Sequence, residues 1–176
     1  GEALSEDDPQ AALEAFKESL HLDPDQADAL NNAGAVLMKL GHYYDARMAF
    51  ERAVELAPAF PQAWNNLGIA WGRLNQPVEA LDAFERSISL MPNYVAAHTN
   101  RATAWLTLGD FARGWKEYEW RWAAPPTPEY RPRVLDNPLP PIDEAELGGK
   151  RILIYAEQGF GDVIQFVRYV PLVAQR

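Results

Sequence analysis

Residues 29–58, ALNNAGAVLMKLGHYYDARMAFERAVELAP, align without gaps onto residues 63–92, AWNNLGIAWGRLNQPVEALDAFERSISLMP. The offset is 34 residues, and twelve of the thirty positions are identical, where ordinary residue frequencies would give roughly two. The identities include conformationally restrictive types: Gly34 with Gly68, Ala46 with Ala80, Phe50 with Phe84, Pro58 with Pro92. Self-similarity at this period marks a stack of supersecondary units, each unable to bury its own apolar face. One period earlier, Ala12, Phe16 and Pro24 hold the alanine, aromatic and proline slots, so residues 9–26 form a half repeat without a first helix. Residues 27–60 and 61–94 are full repeats. Residues 95–126 are a divergent copy in which His98, Ala102, Trp105, Gly114, Tyr118 and Pro126 take the matching slots.

The pattern predicts paired helices, first helices over 27–40, 61–74 and 95–108, second helices over 9–21, 43–56, 77–90 and 111–122. Gly34 and Gly68 belong where the two helices of a repeat cross closely, with Ala46 and Ala80 as small partners, because larger groups would push the axes beyond the usual 8–10 Å. Phe50 and Phe84 fill the space between neighbouring repeats, and Pro58 and Pro92 stop each second helix. Gly41, Asn75 and Gly109 lie at the turns, where left-handed backbone is needed. The 34-residue spacing of large residue, Leu-Gly, aromatic, Ala, aromatic, Ala and Pro resembles the tetratricopeptide repeat. That resemblance implies an all-α TPR solenoid, a right-handed superhelix whose concave face is lined by first helices and binds a protein or an extended peptide.

The 25 Asp and Glu residues against 16 Lys and Arg give a net charge of -9, which disfavours the basic stripe that nucleic acid requires. No apolar run reaches the roughly 20 residues of a membrane span. Without cysteine there is no disulfide, thiolate metal site or thiol nucleophile. His21, His42 and His98 lack metal-ligand spacing, so a surface or packing role is expected and no metal or cofactor. No signal peptide is visible at the start, and the expected compartment is the cytoplasm.

Asn32, Asn66 and Asn100 recur every 34 residues on the first helices and form a ladder along the groove. A side-chain amide offers one acceptor and two donors, enough to pair with the N–H and C=O of a peptide without reading its sequence. The repeats that precede a nucleocytoplasmic sugar transferase carry a similar rail. The other reading, that these asparagines stabilise the array, stays open. Asn31, Asn65, Thr99, Lys39 and Arg73 are expected to face the same groove and to make it polar and locally basic, which favours acidic or C-terminal peptides. The Lys-Asn carboxylate clamps of chaperone-binding relatives need more basic residues than this sequence places there.

GWKEYEWRW, residues 114–122, concentrates aromatics on several faces and reads as a cap or docking face. Residues 123–150 hold seven of the fourteen prolines and read as an extended strap. Residues 151–176 change period: RILIYA reads as a strand, EQGFGD as a turn, and the rest as a helix. Gly159 and Gly161 lack the third glycine of a dinucleotide fingerprint, whose place Ile164 takes. The stretch from residue 114 to the end resembles bacterial tetratricopeptide proteins that continue into a heptosyltransferase-like glycosyltransferase domain. That resemblance implies Asp162 as the base that deprotonates an acceptor hydroxyl, while a helix-capping pair with Gln165 accounts for it equally. The donor-sugar lobe is not in this sequence, so the chain is expected to be inactive by itself. Two functions stay open: a non-catalytic peptide-binding scaffold, or a fragment presenting acceptors to a missing transferase domain. The lone strand is expected to pair with a second copy, making a homodimer through the C-terminal strand-turn-helix.

Overall fold

The computed structural model describes residues 8–123. The expected strap beyond Ala123, the strand-turn-helix with its dimer contact, and Asp162 all lie outside the described residues. Within them the chain forms seven α-helices and a closing 3₁₀ turn: α1 (Pro9–Leu22), α2 (Ala27–Lys39), α3 (Tyr43–Leu56), α4 (Pro61–Arg73), α5 (Pro77–Leu90), α6 (Val95–Thr107), α7 (Phe111–Tyr118) and the 3₁₀ segment Glu119–Ala123. No strand occurs among the described residues. The second helix of the divergent repeat thus ends earlier than its pattern suggested and tightens into a 3₁₀ turn.

Helix ends follow from local chemistry. The Asp8 carboxylate accepts from the N–H groups of Gln10 and Ala11 at 3.1 and 3.0 Å, and Pro9, Pro61 and Pro77 sit in the first turn, where a missing N–H costs nothing. Each first helix ends in the same motif. Gly41, Asn75 and Gly109 take φ of 80°, 61° and 82°, and the next residue, His42, Gln76 or Asp110, donates its N–H back to the carbonyl of Leu37, Trp71 or Trp105. This six-to-one bond satisfies a carbonyl that the helix end leaves open.

Helices within a repeat lock through a ring and a glycine. A Cβ at Gly34 would lie 2.6 Å from the Phe50 ring, and one at Gly68 would lie 2.5 Å from the Phe84 ring. The close partner of each glycine is therefore the aromatic of its own repeat, where the small Ala46 and Ala80 were expected. Repeats then stack through Ala46, Phe50, Ala53 and Val54 of α3 against Ala63, Leu67 and Ala70 of α4.

At the end of the described array, α7 is held to α6 by a buried ion cluster. His98 occupies the slot of Trp64, one period later, and makes the same bond: Trp64 Nε1 donates to the Pro58 carbonyl at 2.9 Å, and His98 Nε2 lies 2.8 Å from the Pro92 carbonyl. Its other nitrogen, Nδ1, lies 2.5 Å from Glu117 Oε1, so each ring nitrogen faces an oxygen. Arg101 Nη2 donates to the same carboxylate oxygen. Trp120 stacks on His98 with centroids 3.8 Å apart and planes 5° from parallel. Burial pushes the Glu117 carboxyl upward, but the hydrogen bonds from His98 and Arg101 outweigh it and hold the group below the usual glutamate range.

Two stability outcomes follow from this packing. Gly68→Ala forces the Phe84 ring to shift and costs about 1–3 kcal/mol in urea denaturation, and Phe84→Leu in the same chain recovers part of that loss. Glu117→Gln costs about 2 kcal/mol near neutral pH, as loss of hydrogen bonds to charged groups does. The folded carboxyl titrates below its unfolded value of about 4.3, so its contribution is complete above that pH and is lost as pH falls through the folded value. Parent and variant stabilities therefore converge in acid; a gap that persists or widens there contradicts the assignment.

Candidate peptide groove

The first helices lie side by side, α2 against α4 and α4 against α6. Their charge differs from that of α3 and α5. The first helices carry Lys39, Arg73 and Arg101 against one acid, Asp28, whereas α3 and α5 carry Asp45, Glu51, Glu55, Glu79, Asp82 and Glu85 against three arginines. Lys39 and Arg73 are exposed, while Arg101 is turned to the Glu117 cluster.

The two asparagines of each pair have separate roles. Asn31 and Asn65 are buried, at 8% and 3% exposure, while Asn32, Asn66 and Asn100 are half-buried. Asn66 Nδ2 donates to Asn31 Oδ1 at 2.9 Å, and Asn100 Nδ2 donates to Asn65 Oδ1 at 2.9 Å. The connection thus steps 35 residues, from the first asparagine of one repeat to the second of the next. Asn31 Nδ2 adds a long contact of 3.5 Å to Asn32 Oδ1. Thr99, in the slot of Asn31 and Asn65, turns its hydroxyl to the Val95 carbonyl of its own helix at 2.9 Å. The repeated Asn-Asn dipeptide carried the signal for this clamp, although sequence reasoning placed both members on the groove.

Between α4 and α6, over the start of α5, lies a notch of about 380 Å³, with Gly72, Arg73, Asn100, Thr103, Thr107 and Phe84 among its lining. The Thr103 and Thr107 hydroxyls donate to the carbonyls of Thr99 and Thr103 at 3.0 and 2.9 Å, leaving methyl groups and oxygen lone pairs for the surroundings. The notch was not anticipated, yet its signal is in the register: Met38, Gly72 and Leu106 share one slot, and only the middle repeat leaves it without a side chain. No group of three or more potential metal ligands occurs among the described residues, and none of their helices is long and apolar enough to cross a membrane.

Residues 3–69 and residues 61–94 each match a family model described as tetratricopeptide repeat. No curated protein matches the chain in sequence. Among solved structures, it is similar to "MamA 41-end from Desulfovibrio magneticus RS-1", at 26% identity and a TM-score of 0.64 over 69% of this chain and 71% of that one. A double mutant of MamA RS-1 matches at the same identity and TM-score, over 69% and 68% of the two chains. Another structure, titled "Crystal structure of MamA", matches at 23% identity and a TM-score of 0.61 over 65% of this chain and 67% of that one; that level of identity speaks for the fold alone.

The clamp has a measurable weight. Asn65→Ala leaves the Asn100 amide without its partner and costs about 1 kcal/mol. A cycle with Asn100→Ala shows coupling of about 0.5 kcal/mol or more, whereas Asn32→Ala changes the urea midpoint little. Additive effects at residues 65 and 100 would show that the two amides do not support each other.

Proposed function

We propose that this chain, a tetratricopeptide-repeat protein, is a non-catalytic interaction scaffold that holds an extended peptide along its concave groove, with Asn32, Asn66 and Asn100 gripping the peptide backbone. The observation that carries this reading is the division of labour within the asparagine pairs. Asn31 and Asn65 are buried and tie repeat to repeat. Asn66 and Asn100 each use one N–H on that tie, and keep a second N–H and a carbonyl oxygen with no partner among the described residues. A half-satisfied, half-buried amide held in place by its other half is already oriented, so a peptide loses less entropy on meeting it than on meeting a free side chain.

Charge supports the same reading. The protein is acidic overall, but Lys39 and Arg73 mark the first helices, so a peptide bearing acidic residues meets a favourable local field. Asn31 and Asn65 contribute by fixing the rail, and Lys39 and Arg73 by steering.

Selection of random linear peptides on the 176-residue chain, followed by fluorescence anisotropy, tests this. Asn32→Ala, Asn66→Ala and Asn100→Ala combined should weaken a selected peptide about tenfold or more, as removal of several hydrogen bonds does. Asn32→Ala alone, which disturbs only the long 3.5 Å contact, should weaken it about threefold without a change in melting temperature. Unchanged affinity in both variants removes the rail, and failure to select any peptide removes the groove.

A further inference from the structure

Five of the six described glycines have a structural reason to be glycine. Gly34 and Gly68 face phenyl rings, Gly114 faces the Leu106 side chain with a Cβ distance of 2.6 Å, and Gly41 and Gly109 have positive φ. Gly72 has none of these: a Cβ there would meet nothing within 4 Å, and its φ is not positive. It sits in the last turn of α4, where glycine is a poor helix former. What its missing side chain does create is the notch beside Arg73 and Asn100.

We propose that this notch is a side-chain pocket for an aromatic residue of a bound partner peptide, with the Arg73 guanidinium lying over the ring. The proposal rests on the groove reading and gives it one specific subsite. At about 380 Å³ the notch falls within the size of small-ligand pockets and has room for the largest side chains. Ile69, Ala80, Phe84 and Ala104 supply an apolar lining, and the threonines add methyl groups because their hydroxyl protons are used within α6. Arg73 supplies the positive charge. Four other arginines of the array lie over aromatic rings, Arg47 over Tyr44 and Trp71, Arg101 and Arg113 over Trp105, and Arg121 over Tyr118, at 4.7–5.1 Å from the centroids. Arg73 lies over no ring and pairs with no carboxylate among the described residues, so a ring in the notch completes the arrangement its counterparts already have. Asn100, at the pocket wall and on the rail, sets the peptide backbone beside the ring.

The probe is N-acetyl-tryptophan amide, titrated into the 15N-labelled 176-residue chain, with N-acetyl-leucine amide as the comparison. The amide signals of Gly72, Arg73 and Thr103 should move saturably, and the tryptophan derivative should bind about fivefold tighter than the leucine derivative, as a cation–π contact at a partly exposed site gives. Gly72→Leu should abolish the shifts with the melting temperature unchanged or raised. Arg73→Gln should remove most of the aromatic preference and leave the leucine derivative unaffected. No movement at these amides, equal binding of the two derivatives, or shifts that survive Gly72→Leu overturns the pocket. Concentration-dependent movement of the same signals without probe would seat a second copy of the chain there and also overturns it. The two readings fail distinguishably: selected peptides that bind Gly72→Leu as well as the parent sink the pocket and leave the groove, while a saturable probe site with no selectable peptide sinks the groove and with it the notch's role as a peptide subsite.

Discussion

The contact on which the array depends is a phenyl ring pressed against a bare Cα. Phe50 reaches Gly34 and Phe84 reaches Gly68 so closely that a Cβ would overlap the ring. Because interiors are packed to near-crystalline density, such a contact cannot shift gradually. It fixes how close the two helices of a repeat lie and which residues of the first helix point away from the second. Each of the two full repeats is thus set internally, and the alanines Ala46, Ala53, Ala63 and Ala70 let them stack closely.

Much of this was legible because it depends on residue types with narrow conformational or volume demands. Gly41, Asn75 and Gly109 announced left-handed turns, and the backbone takes them there. The first-helix and second-helix ranges follow from a period that two copies share without a gap, with twelve of thirty aligned positions identical. What was misassigned depends on which partner a small residue makes room for. Glycine at 34 and 68 says only that something comes close; spacing pointed to alanine, and the ring four residues further along the second helix is what arrives. The burial of Asn31 and Asn65 was hidden for a related reason. Adjacent positions on a helix differ by about 100°, so one member of each dipeptide turns toward the neighbouring first helix while the other stays half-exposed, and the period alone does not say which.

His98 shows how a repeat slot is defined by a bond as much as by size. Tryptophan and histidine share little volume, but both place a ring N–H against the carbonyl of the proline that ends the preceding second helix. What differs is the remaining valence. Tryptophan has one donor and is finished, whereas the imidazole has a second nitrogen that needs a partner, and Glu117 of α7 provides it. Arg101 and the stacked Trp120 then follow from the need to surround a buried carboxylate with donors and to cover the imidazole face. Three exchanges in the divergent copy, His98, Arg101 and Glu117 in the slots of Trp64, Leu67 and Ala83, therefore attach its last helix partly through charge.

Two kinds of glycine on the same helix make the final distinction. Gly68 and Gly72 are four residues apart on α4, yet one is demanded by the packing and the other by nothing inside the described array. Helical glycine is unfavourable by its entropy, and at Gly72 no internal contact of the described array offsets that cost. The same logic applies to the amides. An asparagine fully satisfied within the array would be structural, and one with no internal bond would be a floppy surface group. Asn66 and Asn100 fall between, fixed by one bond and open at the rest. Partly satisfied polar groups beside an unfilled apolar notch are what a surface needs in order to hold a chain in a defined register, with backbone contacts along the ladder and a single side-chain contact to set position.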